Sequence, residues 1–321
     1  MTHTELLIKA ITWDNPETIP VSIGLLPALW LKYPKEIREI TARYRQFFGD
    51  LSEKYNYETY TRQTYHTGDH TDEWGCVWSN IAEGQEAIVK VHPVKTREEI
   101  RKLKIPDDRT GRMYHGFMYL RVLDLRGFEN AMEDFADEPP ELQILLDRVL
   151  EYNMIQLEIK LKTAREPLMY FGDDLGMQTG LAIGRQKWLR YFKPCYEKLF
   201  KMVHDKGKLV YMHTDGCIWE IMNDLKEAGA DMINPQYRAN GLENLARVCI
   251  GKIPIDLDLD RQYLPFTNPE GIDEHIRQCI QALYLPRGGL GVKLELGPDV
   301  SLEVIEAALA ALEKYRHFKT C

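Results

Sequence analysis

From about residue 167 onward, short apolar, β-prone runs alternate with longer stretches of helical period, and each run ends in polar or glycine-rich residues. The runs are 168–172, 208–212, 230–233, 252–256 and 290–294; the helical stretches are 187–206, 218–228, 242–248, 271–284 and 301–315. Such succession predicts parallel strands with helices outside the sheet, because a strand–helix–strand crossover is right-handed. Upstream, 19–23 and 116–123 supply further expected strands, followed by helices at 34–55 and 140–163. Between them, 65–94 mixes aromatic, charged and glycine residues and reads as a hairpin excursion.

A doubly wound open sheet also alternates, but it usually begins with a glycine-rich phosphate turn after its first strand, and that turn is missing here. Arg287-Gly288-Gly289 precedes a strand instead and reads as an αβ turn. With no linker, low-complexity tract or short repeat, the expectation is one domain over 1–321. Its expected fold is α/β, a single (β/α)8 TIM barrel with an N-terminal hairpin insertion.

Composition narrows the partners. A formal charge of -8 and a pI near 5.7 argue against nucleic acid, whose binders concentrate Lys and Arg on one face. A small-molecule substrate fits better. Six scattered cysteines (Cys76, Cys195, Cys217, Cys249, Cys279, Cys321) without a CxxC spacing suggest a reduced, cytoplasmic setting. The apolar run at 6–11 is too short for a leader or a membrane span, so no membrane association is expected.

In a (β/α)8 barrel the chemistry sits at the C-terminal strand ends. After 168–172 come Asp173, Asp174 and Gln178; after 208–212, His213 and Asp215; after 230–233, Asn234 and Gln236; after 252–256, Asp258, Asp260 and Arg261; after 290–294, Glu295 and Asp299. Adjacent carboxylates at Asp173 and Asp174 suit general acid–base work, since a dry pocket pushes one pKa upward. The alternative is that one of them caps a loop through backbone N–H groups while the other faces substrate. Asp260 is a third catalytic candidate, against a salt-bridged strand end.

Gln178, Asn234 and Gln236 are candidate substrate-binding groups. So is Asp72, in Asp72-Glu-Trp-Gly75, unless that segment is only a turn around a packed indole. Alternate residues of an extended segment point the same way, so His213 and Asp215 could reach one ion. The competing reading is a hydrogen-bonded His with Asp215 as a helix N-cap. Tyr55, Tyr57, Tyr60 and Tyr65 follow no period and read as surface packing.

Phe171-Gly-Asp-Asp-Leu-Gly-Met-Gln178, the helix with Pro194, Gly207 to Asp215, and Gly229-Ala-Asp-Met-Ile-Asn-Pro-Gln236 resemble the uroporphyrinogen decarboxylase superfamily in order and spacing. The resemblance extends back to Asp72–Trp78 and forward to the last strand. It implies a barrel, and either a cofactor-free porphyrinogen decarboxylase or a zinc methyltransferase serving corrinoid carriers or thiols. The decarboxylases carry two arginines in an N-terminal motif, but the matching Pro20 to Trp30 has none. Their tyrosine, serine and C-terminal histidine would fall at Leu123, at Asp173 and in the histidine-free 295–299.

The methyltransferases carry His-x-Cys where this chain has His213-Thr-Asp215, and a further cysteine in the last strand's loop. Oxygen ligands would make a harder metal, with His213, Asp215 and Glu295 as the ligand set the resemblance suggests. The expectation is therefore a zinc-assisted methyltransferase moving a methyl group from a methoxy-type donor to a corrinoid carried on a partner protein. The alternatives are a cofactor-free decarboxylase of a related substrate and a non-catalytic corrinoid- or tetrapyrrole-binding subunit.

Overall fold

The computed structural model describes residues 1–319, so Cys321 lies outside the described residues. The strands in chain order are β1 (Val21–Leu25), β2 (Gly68–Thr71), β3 (Val77–Asn80), β4 (Ile88–Val91), β5 (Leu168–Gly172), β6 (Leu209–Thr214), β7 (Met232–Pro235), β8 (Ile255–Asp258) and β9 (Leu290–Leu296). The expected hairpin excursion is the small three-stranded sheet β2-β3-β4. The other six strands belong to the α/β repeat that the sequence pattern predicts.

The chain divides into two compact units. One comprises Met1–Asp69, Ser79–Ile88 and the described part of Gln236–Cys321; the other comprises His70–Trp78 and Val89–Pro235. In the first, β1 pairs parallel with β9 (Val21 beside Val292) and β9 with β8 (Leu290 beside Ile255). In the second, β5 pairs parallel with β6 (Leu168 beside Leu209) and β6 with β7 (Tyr211 beside Met232). Every residue of β7 and of β8 is buried, as expected of parallel strands covered on both faces.

The helices follow their sequence signals closely. Pro140–Thr163 is one continuous helix that begins with proline at its first position and buries Leu142, Leu145, Leu146, Val149 and Leu150 along one stripe. Leu302–Tyr315 starts at Ser301, whose hydroxyl accepts from the Val304 N–H. The helix expected over 34–55 is broken into Pro34–Arg43, Arg45–Phe48 and Leu51–Lys54, with Gly49 at φ 58 ending the second piece. No described helix is long and apolar enough to cross a membrane, and the five described cysteines are buried with no disulfide among them.

One expectation is overturned. Residues 116–123 form no strand; instead Tyr119–Arg126 is a helix, so six parallel strands of the repeat are present among the described residues rather than eight. The cause is distant in sequence. Asp173, at the end of β5, accepts the N–H groups of Met118 (3.1 Å), Tyr119 (2.5 Å) and Leu120 (2.9 Å), the donors that a new helix leaves unsatisfied. A β-prone segment thereby becomes the first turn of a helix.

Candidate functional site

The loops after β5 and β6 continue to hold each other past the strand ends. Asp173 N–H donates to the His213 carbonyl (3.1 Å), Leu175 N–H to Thr214 Oγ1 (3.1 Å), Gly176 N–H to the Asp215 carbonyl (3.1 Å) and Cys217 N–H to the Met177 carbonyl (2.8 Å). This backbone-to-backbone approach requires glycine. Gly216 has φ +83, and a Cβ there would collide with the carbonyl of Gly176. The two loops therefore present their side chains from a stiff double strand.

His213 is fixed by what its far nitrogen does. Nδ1 lies 2.6 Å from Oδ1 of Asn234, a fully buried amide on β7, and because an amide oxygen only accepts, Nδ1 carries the proton. Nε2 is then left with its lone pair, 3.3 Å from Oδ1 of Asp215 and 3.8 Å from Oδ1 of Asp174. A lone pair facing carboxylate oxygens is repulsive unless a second proton or a cation lies between them. That arrangement can hold a proton or a cation, with the amide oxygen orienting the ring from behind.

The adjacent aspartates divide. Asp173 is wholly buried; besides its three backbone donors it accepts the Tyr196 hydroxyl at 2.6 Å. Burial raises its pKa against the pull of the Leu120 and Tyr119 N–H groups and the Tyr196 hydroxyl. Three of these four donors are the free N–H groups of the helix at Tyr119, so Asp173 takes the capping role that the sequence left open as the alternative. Asp174 instead faces two imidazoles: Oδ2 lies 3.1 Å from Nε2 of His115, and Oδ1 accepts the Asp215 N–H at 3.1 Å. Burial alone would raise the Asp174 pKa, but the His115 hydrogen bond and the charges of His115 and His213 hold it below the usual carboxylate value.

His115 is the residue that sequence reading missed. It sits in the irregular segment before the helix at Tyr119, and the Gly116 N–H ties that segment to the Gly172 carbonyl at 2.8 Å. The one local signal was the glycine ending β5, since a Cβ at Gly172 would overlap the His115 ring. The His115 and His213 rings lie 5.5 Å apart. Among the described residues, one ligand atom from each of His115, Asp174 and His213 lies within 4.8 Å of the others. Imidazole nitrogen and carboxylate oxygen suit a borderline divalent ion such as zinc.

Asp72 is placed in the same unit but elsewhere. It accepts the Trp74 and Cys76 N–H groups, the Trp78 indole N–H (3.0 Å) and Arg121 Nη1 (2.6 Å), so the turn around a packed indole accounts for it. Arg121 is shared: Asp124 lies 3.8 Å from the same nitrogen. Burial pushes Asp124 up to about 7, against the pull of Arg121 and helped by the charges of Asp72 and Asp173. Gln178 is exposed in the loop after β5.

In the other unit the expected site residues are answered by arginines. Asp260 takes a two-pronged ion pair from Arg238 (2.9 and 2.7 Å), and its N–H faces Nε2 of the buried His275 at 3.3 Å. Glu295 is paired with Arg261, and Lys293 lies 3.6 Å from Asp258. The Gln236 carbonyl accepts from Asn240 (2.8 Å) at the start of a short helix. Asp260 thus stands in an ion pair with Arg238, as the salt-bridged alternative expects, and Glu295 in one with Arg261.

Comparison with known proteins gives the family. The model described as Uroporphyrinogen decarboxylase (URO-D) matches residues 118–315. No curated protein sequence matches the chain. Among solved structures, a methyltransferase from Methanosarcina mazei is 13% identical, with a TM-score of 0.67 over 98% of this chain and 99% of that one, which shows a common fold. A dihydropteroate synthase from Xanthomonas albilineans (17% identical, TM-score 0.32) covers 56% of this chain and 61% of its own. A sugar phosphate isomerase/epimerase from Parabacteroides distasonis (12% identical, TM-score 0.35) covers 93% of this chain and 95% of its own.

Proposed function

This chain belongs to the uroporphyrinogen decarboxylase family, and from that membership we propose that it is a methyltransferase taking a methyl group from a small methoxy-type donor and passing it to a corrinoid on a partner protein. The observation that carries the reading is His213: Asn234 holds its Nδ1 proton, and its Nε2 lone pair is turned toward Asp174 and Asp215. A family-type methyltransferase needs an electrophilic centre at this strand end, and a porphyrinogen decarboxylase needs arginines that the segment from Pro20 to Trp30 does not contain.

A zinc-type ion held by His213 and Asp174 would supply a Lewis acid for the donor's heteroatom. The chain's own residues do the rest. Asn234 keeps the imidazole in one tautomer and one orientation. The Asp215 N–H holds Asp174 Oδ1, so the carboxylate is positioned before substrate arrives. The Asp215 carboxylate, 3.3 Å from His213 Nε2, would hold or pass the proton taken up by the leaving heteroatom. The methyl–heteroatom bond would break with its electron pair left on the heteroatom, which takes a proton, and a corrinoid acceptor would supply the electron pair that takes up the methyl group.

The test uses free cob(I)alamin as acceptor with methanol and methoxybenzoate as donors, followed by the change from the cob(I)alamin to the methylcob(III)alamin spectrum. Transfer by the wild type and its loss in His213→Ala are expected. Transfer unchanged in His213→Ala would overturn the reading, and carbon dioxide release from uroporphyrinogen would replace it with decarboxylation.

A further inference from the structure

We propose that the metal ligands of this protein are His115, Asp174 and His213, so that the ion binds wholly within the unit containing β5, β6 and β7 and ties the segment before the helix at Tyr119 to the strand ends. The inference rests on the methyltransferase reading for its purpose but not for its geometry. It replaces Glu295, the third ligand that family resemblance suggests, with a histidine that no spacing in the sequence indicates.

The distances fit one ion. Ligands at about 2.0–2.1 Å from a tetrahedral zinc stand roughly 3.4 Å from one another. His115 Nε2 lies 3.1 Å from Asp174 Oδ2, and His213 Nε2 lies 3.8 Å from Asp174 Oδ1. With one ligand atom taken from each residue, all three atoms lie within 4.8 Å of one another. Two imidazoles and one carboxylate leave a net charge of +1 on a bound divalent ion and keep a coordination position open, the composition of a catalytic rather than a structural centre.

Each ligand is aimed by a different device. Asn234 orients the His213 ring, the Asp215 N–H orients the Asp174 carboxylate, and Gly172 leaves room for the His115 ring. His115 is exposed, and its segment is joined to β5 through the Gly116 N–H bond to Gly172. With the ion in place, the contact between His115 and Asp174 becomes a metal bridge, and the segment gains a second attachment beside that hydrogen bond.

The experiment is metal binding by the full-length chain, stripped with chelator and titrated with Zn²⁺ and Co²⁺. One ion per chain is expected, with affinity falling at least about tenfold in His115→Ala and in His213→Ala and unchanged in Glu295→Gln. His115→Cys guards against a folding artefact, because a thiolate at that position adds an intense sulfur-to-cobalt charge-transfer band to the Co²⁺ spectrum. Affinity unchanged in His115→Ala with no such band in His115→Cys would overturn the assignment, as would loss of the ion in Glu295→Gln. The readout needs no substrate, so a protein that binds metal this way yet transfers no methyl group would sink the proposed function and leave the ligand set standing.

Discussion

The strand ends of the two units carry similar inventories of residues and put them to different uses. After β8 and β9 the carboxylates meet cations: Asp260 has Arg238, Glu295 has Arg261, and Asp258 has Lys293 nearby. After β5 and β6, Asp174 meets imidazoles, His213 turns a lone pair toward carboxylates, and the backbone of both loops is locked together. An ion pair with arginine neutralises a carboxylate and uses up its lone pairs. A carboxylate set against imidazoles keeps its charge available for a cation or a proton. The presence of polar residues at a strand end thus says less than the identity of the group opposite each one.

The largest expected effect is on chemistry. Replacing His213 with alanine should lower the methyl-transfer rate on the order of 10³-fold, several kcal/mol of transition-state stabilisation, with far-UV circular dichroism unchanged. Equal loss on mutating Glu295 would erase the contrast between the units.

Next comes Asp173. Its removal strands three backbone donors and a tyrosine hydroxyl in a buried site, so Asp173→Ala should destabilise the protein by about 3 kcal/mol in urea unfolding, while Asp174→Asn costs less than about 1 kcal/mol. Similar losses from both substitutions would mean the pair is not divided between structure and chemistry.

A smaller effect follows from the amide behind His213. Asn234→Ala frees the imidazole to rotate and change tautomer, and zinc affinity by competition titration should fall about 10- to 100-fold. An unchanged affinity would remove the orienting role.

Asp124 stands between the two patterns, since it shares its arginine with Asp72. Its folded pKa, raised to about 7 by burial, exceeds the unfolded value of about 3.9, so the folded state binds more protons between those limits. The stability it contributes is present below about pH 4 and is lost as pH rises toward 7. Urea midpoints measured across that window should decline, and Asp124→Asn should flatten the decline by on the order of 1–2 kcal/mol. A slope equal in both proteins would contradict the assignment.

The smallest effects belong to the arginine-paired set. Asp260→Asn and Glu295→Gln should each change stability by about 1 kcal/mol or less and the methyl-transfer rate by no more than about twofold, because the arginine partners are at least partly exposed and can be hydrated. A tenfold loss of rate in either would bring that unit's strand ends into the chemistry.

Much of the fold was legible because its signals are local. The apolar runs that became β5 to β9 each lie within a few residues of their expected bounds, and Pro140 and Ser301 mark helix starts on their own evidence. The segment 116–123 was misread because Phe117, Met118, Tyr119 and Val122 favour a strand by composition, while the acceptor that nucleates the helix is Asp173, more than fifty residues away. The site was legible in part for the same reason. His213, Asp174 and Asn234 stand at recognisable strand ends, but His115 follows no strand, and its tie to Asp174 spans 59 residues. Nor could the sequence tell which carboxylates meet arginine: Arg261 adjoins Asp260 in the chain, yet it pairs with Glu295 and leaves Asp260 to Arg238.

The most direct measurement is an anomalous difference map at the zinc absorption edge from crystals grown with Zn²⁺. A peak bounded by His213 Nε2, His115 and the Asp174 carboxylate is expected. A peak on the Asp260 or Glu295 carboxylates, or no peak at one zinc per chain in solution, would contradict that placement.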